Sequence, residues 1–227
     1  MNRKIVLVIF AVILCVIFTG CKSAGQQGNA TNTERAANSV LQTGNIKVSD
    51  GQDNKTDIQK NRDTGADSKI LVAWFSGTGN TERVANIIIE NTGAESFEIT
   101  PADPYTDDDL NWRNNKSRIN KEHDNPSLRD IALTTTKVPN WDSYDVVFIG
   151  YPIWWQDYAW AITRFVSDND FSGKTVIPFC TSTSSGIGKS AENLAEIAGS
   201  GNWLSGVRFG ENPSEEEVKD WVSSIRY

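Results

Sequence analysis

Residues 76–81 read Ser-Gly-Thr-Gly-Asn-Thr, placed directly after the apolar run 69–75 and directly before a segment with helical apolar spacing. A loop of this kind is suited to an anion. Where a strand gives way to a helix, the first helical turn presents free backbone N–H groups and the positive end of the helix dipole. Gly77 and Gly79 let the backbone curl and approach a ligand closely. Ser76, Thr78, Asn80 and Thr81 add hydroxyl and amide donors. The loop contains no Lys or Arg, so neutral dipoles must hold the anion, which suits a phosphate monoester. The plainer reading is a capped turn with Thr78 or Asn80 as N-cap. Two nucleotide motifs are excluded. The dinucleotide fingerprint needs a third glycine where Glu82 stands, and a Walker loop ending at Gly188-Lys189-Ser190 needs a glycine where Thr183 stands.

The elements that must position this loop follow from the apolar pattern. Residues 69–75, 146–150 and 175–179 are continuous apolar runs, as expected of strands buried on both faces of a parallel sheet. Residues 97–100 and 203–209 supply the second and last strands. Amphipathic helices are expected at 81–91, 160–167, 189–198 and 214–225. Strands alternating with helices imply a doubly wound α/β sandwich, in which ligands sit beyond the carboxyl ends of the strands. The stretch 101–140 breaks the pattern. It is long and polar, with one helix around 108–122, and reads as an insertion after the second strand.

Three segments, each following its own strand, carry a resemblance. The "SGTGNT" loop resembles the phosphate-binding loop of flavodoxins. "GYPIWWQDYAW", residues 150–160, and "PFCTSTSSGIGKS", residues 178–190, resemble the segments after the third and fourth strands in FMN-binding flavodoxin-like lipoproteins of bacteria. "RINKEHDNPSLRD", residues 118–130, is a weaker echo of an insertion in that group. The resemblance spans 69–225. It implies a five-stranded parallel sheet of order 2-1-3-4-5 and FMN as the ligand, with the phosphate on Ser76, Gly77, Thr78, Gly79, Asn80 and Thr81. The ring would lie against Tyr151, Pro152, Ile153, Trp154 and Trp155, with Pro152 stiffening that loop and one of the two tryptophans packing inward. The ring's pyrimidine edge would meet Thr181, Ser182, Thr183, Ser184 and Ser185, with Gly186 permitting a close turn.

The remaining candidates read as structural. His123 is the sole histidine and lies among charges, which implies a solvated side chain without catalytic or metal duty. Asp107-Asp108-Asp109 reads as the first turn of a helix. Trp141 and Trp160 read as core or helix-face residues. Cys180, at the end of a buried strand, reads as a small core hydrophobe. No acid–base pair or nicotinamide fingerprint accompanies the cradle, which favours electron transfer, to a redox partner protein or a small acceptor. An FMN-dependent NAD(P)H:quinone or nitro-compound reductase is the alternative, and a binding module without cofactor is a third reading.

Composition places this domain in a longer chain. Arg3 and Lys4 precede the apolar run 5–18, shorter than the roughly 18 residues of a spanning helix and matching a signal peptide. Phe18-Thr19-Gly20-Cys21 resembles a bacterial lipobox, so Cys21 is expected to carry lipid and hold the protein at the extracytoplasmic face of the cell membrane. From Lys22 to Ala73 there is no Phe, Trp or Tyr, so residues 21–67 are expected to be a flexible tether and 68–227 the folded domain. Of the 3 cysteines, Cys15 belongs to the leader and Cys21 to the lipid site, which leaves Cys180 without a disulfide partner. The formal net charge is −7, which argues against nucleic acid as a partner.

Overall fold

The structure is a computed structural model that describes residues 68–227; the signal-peptide, lipidation and tether segments lie outside the described residues. The strands are β1 (Ile70–Trp74), β2 (Glu95–Glu98), β3 (Val146–Trp154), β4 (Asp157–Tyr158), β5 (Thr175–Thr181), β6 (Asn202–Trp203) and β7 (Val207–Phe209). The helices are α1 (Asn80–Thr92), α2 (Arg118–Asp124), α3 (Thr163–Asp168), α4 (Ser190–Ala198) and α5 (Glu215–Ser224). The sheet runs β2-β1-β3-β5-β6, with β7 continuing the last position beside β5 and all of these pairings parallel. Counted by position in the parallel sheet, this is the expected order 2-1-3-4-5.

Alternation along the strands builds two cores. Leu71, Ala73, Val147, Ile149, Tyr151, Val176 and Cys180 face one side, where Phe165 and Val166 of α3 and Leu194 of α4 cover them. Val72, Trp74, Val146, Phe148, Ile177 and Phe179 face the other, covered by Val84 and Ile88 of α1 and Val218 and Val222 of α5. Successive side chains of a strand point to opposite faces, so a run apolar at every position has no face for water. β3 and β5 pair without interruption from Val146↔Thr175 to Pro152↔Thr181. Within that ladder Gly150 leaves room for the Phe179 ring: a Cβ on Gly150 would stand 2.2 Å from it.

Several expected boundaries move. The last strand is broken, because Ile177 and Pro178 of β5 lie opposite three residues, Leu204, Ser205 and Gly206. Leu204 N–H donates to the Val176 carbonyl, so alternate residues of β5 turn their polar groups toward this edge. Pro178 is next in that alternation and has no N–H to offer, so the ladder bulges there. The apolar run of β3 continues beyond 150, making "YPIW" part of the strand and not a loop; Pro152 is paired with Thr181. The expected helix at 160–167 begins as a 3₁₀ turn, Trp160–Ile162, before α3.

In the insertion the helix is short, and Asp107–Asp109 lies in a turn, not in its first coil. Asp109 accepts hydrogen bonds from the backbone N–H and hydroxyl of Thr106, which satisfies it locally. The insertion closes on itself through a bridge between Pro101 and Leu133. Its interior is fastened by Glu122, only 4% exposed. That carboxylate accepts from the Tyr105 hydroxyl (2.8 Å), Arg118 Nε (2.7 Å) and Trp160 Nε1 (2.7 Å). A buried carboxylate is tolerated only when paired and hydrogen-bonded, and here three donors meet that need.

Gly150→Ala is expected to lower stability by about 1–3 kcal/mol, because the added methyl overpacks against a ring that has no free space. Chemical denaturation compared with the parent protein checks this; an unchanged midpoint would mean that Phe179 can move aside.

Candidate functional site

The loop leaving β1 is held open at a helix start. Phe75 N–H donates to the Gly150 carbonyl, which fixes where the loop departs from the sheet. Gly79 caps α1 with φ +85, a conformation that other residues rarely adopt, and no side chain caps the helix. The capped-turn expectation for Thr78 or Asn80 is therefore corrected. Asn80 Nδ2 instead reaches Thr78 Oγ1 at 3.4 Å. The Ser76 hydroxyl is buried and has no hydrogen-bond partner in the protein. Buried polar groups are nearly always satisfied, so an orphan hydroxyl beside an uncapped helix start fits a ligand that brings an acceptor. At Gly77 the insertion comes close, since Leu110 would lie 3.2 Å from a Cβ there, tighter than an ordinary contact.

The aromatic wall is a hairpin. β3 turns back into antiparallel β4 with Trp154 opposite Asp157. The two turn residues, Trp155 and Gln156, both have positive φ (47° and 68°). This is the geometry of a two-residue type I′ turn, which ordinarily selects Asn and Gly. Trp154 packs inward, edge-on to Phe75 (5.7 Å), Tyr105 (5.4 Å) and Trp160 (4.8 Å). Trp155 is 39% exposed and stacks on His123, with ring centroids 4.2 Å apart and planes 16° apart. His123 is thus not simply solvated, as the charges around it implied; it backs the hairpin tip.

The third wall follows β5. Ser182 N–H donates to Phe209, Ser185 N–H to Ser182 Oγ, and the Thr183 hydroxyl to Glu211. Arg208 of β7 donates to the carbonyls of Ser182 (2.5 Å) and Thr183 (2.9 Å). The loop is therefore pinned from behind by the neighbouring strand.

These walls enclose a cavity of about 660 Å³, within the range of small-molecule and cofactor sites. Of the residues expected at the site, Gly77, Thr78 and Asn80 line it at one end, Pro152, Ile153, Trp154 and Trp155 along one side, and Thr181–Ser185 along another. Five do not line it. Ser76 lies within the loop and Gly79 caps α1. Thr81 is 1% exposed, and its hydroxyl is engaged with Thr181 at 2.8 Å. Tyr151 is fully buried, bonded to Ser190, and belongs to the core: strand alternation turns it away from the cavity that Pro152 faces. Gly186 is also outside the lining, and the positive φ in this stretch belongs to Gly188. The sequence reading missed Leu110, Trp112, Ile119 and Glu211, all of which line the cavity. Trp112 had a signal, as an aromatic alone in a polar stretch; Glu211 had none.

Trp160 is buried as expected, and Trp141 packs on Phe171 while donating its Nε1 to the Asp170 carbonyl. Among the described residues, no group of three or more His, Cys, Asp or Glu side chains gathers to hold a metal ion.

A flavodoxin family profile matches residues 69–225. The chain belongs to the flavodoxin family. Comparison with curated proteins finds no match. Among solved structures, the chain is similar to a protein described as a flavoprotein from Bacteroides eggerthii, at 42% identity and TM-score 0.62, covering 70% of this chain and 98% of that one. A second, from Bacteroides uniformis, shows 37% identity and TM-score 0.63 over 69% and 99%. The fold is also that of a Lactobacillus acidophilus flavoprotein solved in complex with FMN, at 22% identity and TM-score 0.50 over 68% and 99%.

Cys180 of this flavodoxin-family chain sits at the end of β5, fully buried, and burial pushes its thiol up from 9.0 to about 12. The folded value lies above the unfolded one, so the stability it contributes is whole below about pH 9 and is lost as pH rises toward about 12. Burial raises Tyr151 in the same direction. Denaturation midpoints are therefore expected to fall steadily above about pH 9, and a thiol reagent at neutral pH should label Cys180 only after unfolding. Rapid labelling of the native protein would contradict this.

Proposed function

We propose that the chain binds FMN in this cavity and serves as an electron-transfer flavodoxin. The observation that carries the reading is the orphaned Ser76 hydroxyl at an uncapped helix start, within the loop whose Gly77, Thr78 and Asn80 line a cavity with other walls of tryptophan and a pinned polar loop. The residues fit the group. Ser76, Thr78 and the first backbone N–H groups of α1 would hold the phosphate as neutral donors. Trp154 and Trp155, which line the cavity, would border the flat ring and exclude water from it. The Thr181–Ser185 loop would meet the polar edge of the ring, in a position that Arg208 fixes through two carbonyls. Bound FMN supplies reversible electron uptake, which the protein tunes by stacking, charge and hydrogen bonds. Glu211 at the cavity edge is one such charge. The family membership and the flavoprotein relatives support the same reading.

The finer parts of the proposal are the destination of the electrons and the place of the protein. We infer a redox partner protein or small acceptor, and an anchor of lipid on Cys21 at the extracytoplasmic face of the membrane. One observation favours the alternative of an FMN-dependent quinone or nitro-compound reductase: the insertion adds Leu110, Trp112 and Ile119 to the cavity, as a substrate pocket would require. Steady-state NAD(P)H oxidation with a quinone or nitroaromatic separates the two; turnover identifies the reductase, and its absence with intact reduction by a partner protein identifies the carrier.

Ser76→Ala and Thr78→Ala are each expected to weaken FMN by tenfold or more and to leave riboflavin unchanged. Hydrogen bonds to a charged group contribute about 1.5–3 kcal/mol, and about 1.4 kcal/mol is a factor of ten. Thr81→Ala should behave differently, lowering stability by about 1–3 kcal/mol by stranding the buried Thr181 hydroxyl. Titration with both flavins and thermal denaturation check the contrast; equal losses for FMN and riboflavin would put the phosphate elsewhere.

Cys21→Ser should release the protein from membranes into the soluble fraction, measured by fractionation of cells expressing each form. Continued membrane association of the variant would contradict the lipid anchor.

A further inference from the structure

We propose that Trp112, carried by the insertion after β2, is a contact residue for the ring of the bound flavin, an inference that rests on the FMN reading above. Trp112 is 65% exposed, the most exposed large hydrophobic side chain among the described residues, and it lines the same cavity as Trp154 and Trp155. In that position the indole contributes little to the fold, since most of its surface stays in water.

The loop that holds it is nonetheless built. Asn120 donates its side-chain amide to the carbonyls of Trp112 (3.0 Å) and Asn114 (2.9 Å) and to Ser117 Oγ (2.9 Å). Asn111 accepts from Arg113 N–H through its side chain and from Asn114 N–H through its carbonyl. Two residues before the tryptophan, Leu110 seats against Gly77 of the phosphate loop. The backbone that carries the indole is thus set relative to the loop at Gly77, and the ring carries the Arg113 guanidinium at 5.0 Å. An aromatic carried on a backbone already held in place reduces the entropy lost on ordering it at binding. Leu110, Ile119 and Trp112 together give the cavity a second apolar side, besides the one formed by Pro152, Ile153, Trp154 and Trp155. Flat, largely apolar and aromatic, the flavin ring is the part of FMN that matches it; the phosphate end is met by Thr78 and Asn80.

Titration of the full-length protein with FMN and with riboflavin, followed by flavin and tryptophan fluorescence, tests the assignment. Trp112→Ala is expected to weaken both flavins equally, by roughly tenfold, in keeping with stacking on a single aromatic. Trp112→Phe should recover most of the loss. The part of the tryptophan emission that FMN quenches should shrink in both variants. Because Trp112 is largely exposed, Trp112→Ala is expected to fold, and an unchanged melting temperature without flavin verifies it. Binding by Trp112→Ala equal to that of the parent, with unchanged quenching, overturns the inference and leaves the FMN site standing. A loss confined to FMN places Trp112 at the phosphate and overturns it too. If the parent protein binds neither flavin, the FMN reading fails and the inference with it.

Discussion

The site depends on the uninterrupted parallel pairing of β1, β3 and β5. Because the three strands run in one direction, their carboxyl ends share an edge, and the loops that leave them are forced together there. The pairing has a steric condition. Gly150 stands beside Trp74 and Phe179 in the ladder, and only a residue without a side chain accepts the ring of Phe179 at that place. The same residue offers its carbonyl to Phe75, where the first loop departs. A packing need in the sheet and the starting point of the anion loop are thus met by one glycine.

Beyond that edge the walls differ in how they are made rigid. The first loop relies on its glycines and on Leu110 pressing against it. The hairpin relies on strand pairing and on a stack of His123, Trp155 and Trp160, the last two 5.6 Å apart. The third loop relies on Arg208, whose positive charge ends on carbonyl oxygens behind the cavity rather than inside it. No Lys or Arg stands in the loop 76–81 itself, so a phosphate bound there, as proposed, would be met by hydrogen-bond donors whose positions are set by the backbone. A flavin held among neutral donors and acidic neighbours such as Glu211 resists gaining further negative charge, which is the direction that lowers a reduction potential.

Much of this was legible in the residues. Unbroken apolar runs gave the parallel strands, and the alternation with helices gave the layers. The loop Ser76–Thr81 pointed to an anion site because glycine and hydroxyl residues stood between a strand and a helix, and the structure does place it between β1 and α1. What the pattern could not resolve was which way individual side chains turn. Tyr151 and Thr81 carry suitable chemistry, yet the two-residue period of β3 buries one and the first turn of α1 buries the other against Thr181. The continuation of β3 through Trp154 was hidden because Pro152 reads as a loop residue, although a proline can sit in a strand where no N–H is needed. The break between β6 and β7 was hidden for the converse reason, a missing donor on the neighbouring strand. The insertion was least legible, since Glu122 looked like one more surface charge in a charged stretch until its three donors, distant in sequence, came together.

Glu122 also constrains how this protein can change. Its partners come from three stretches: Tyr105 at the start of the insertion, Arg118 on the same helix, and Trp160 after β4. Loss of the carboxylate strands buried donors, and loss of any donor leaves a buried charge less well compensated, so each single step is worse than either the full set or its complete replacement by apolar residues. Substitutions at these positions are therefore epistatic, and their effects will not add. A lineage can keep the whole cluster or exchange it as a block, but it cannot wander between the two one residue at a time. The tryptophan-lined side of the cavity rests on that cluster, so ligand preference on this side is inherited together with the interior of the insertion.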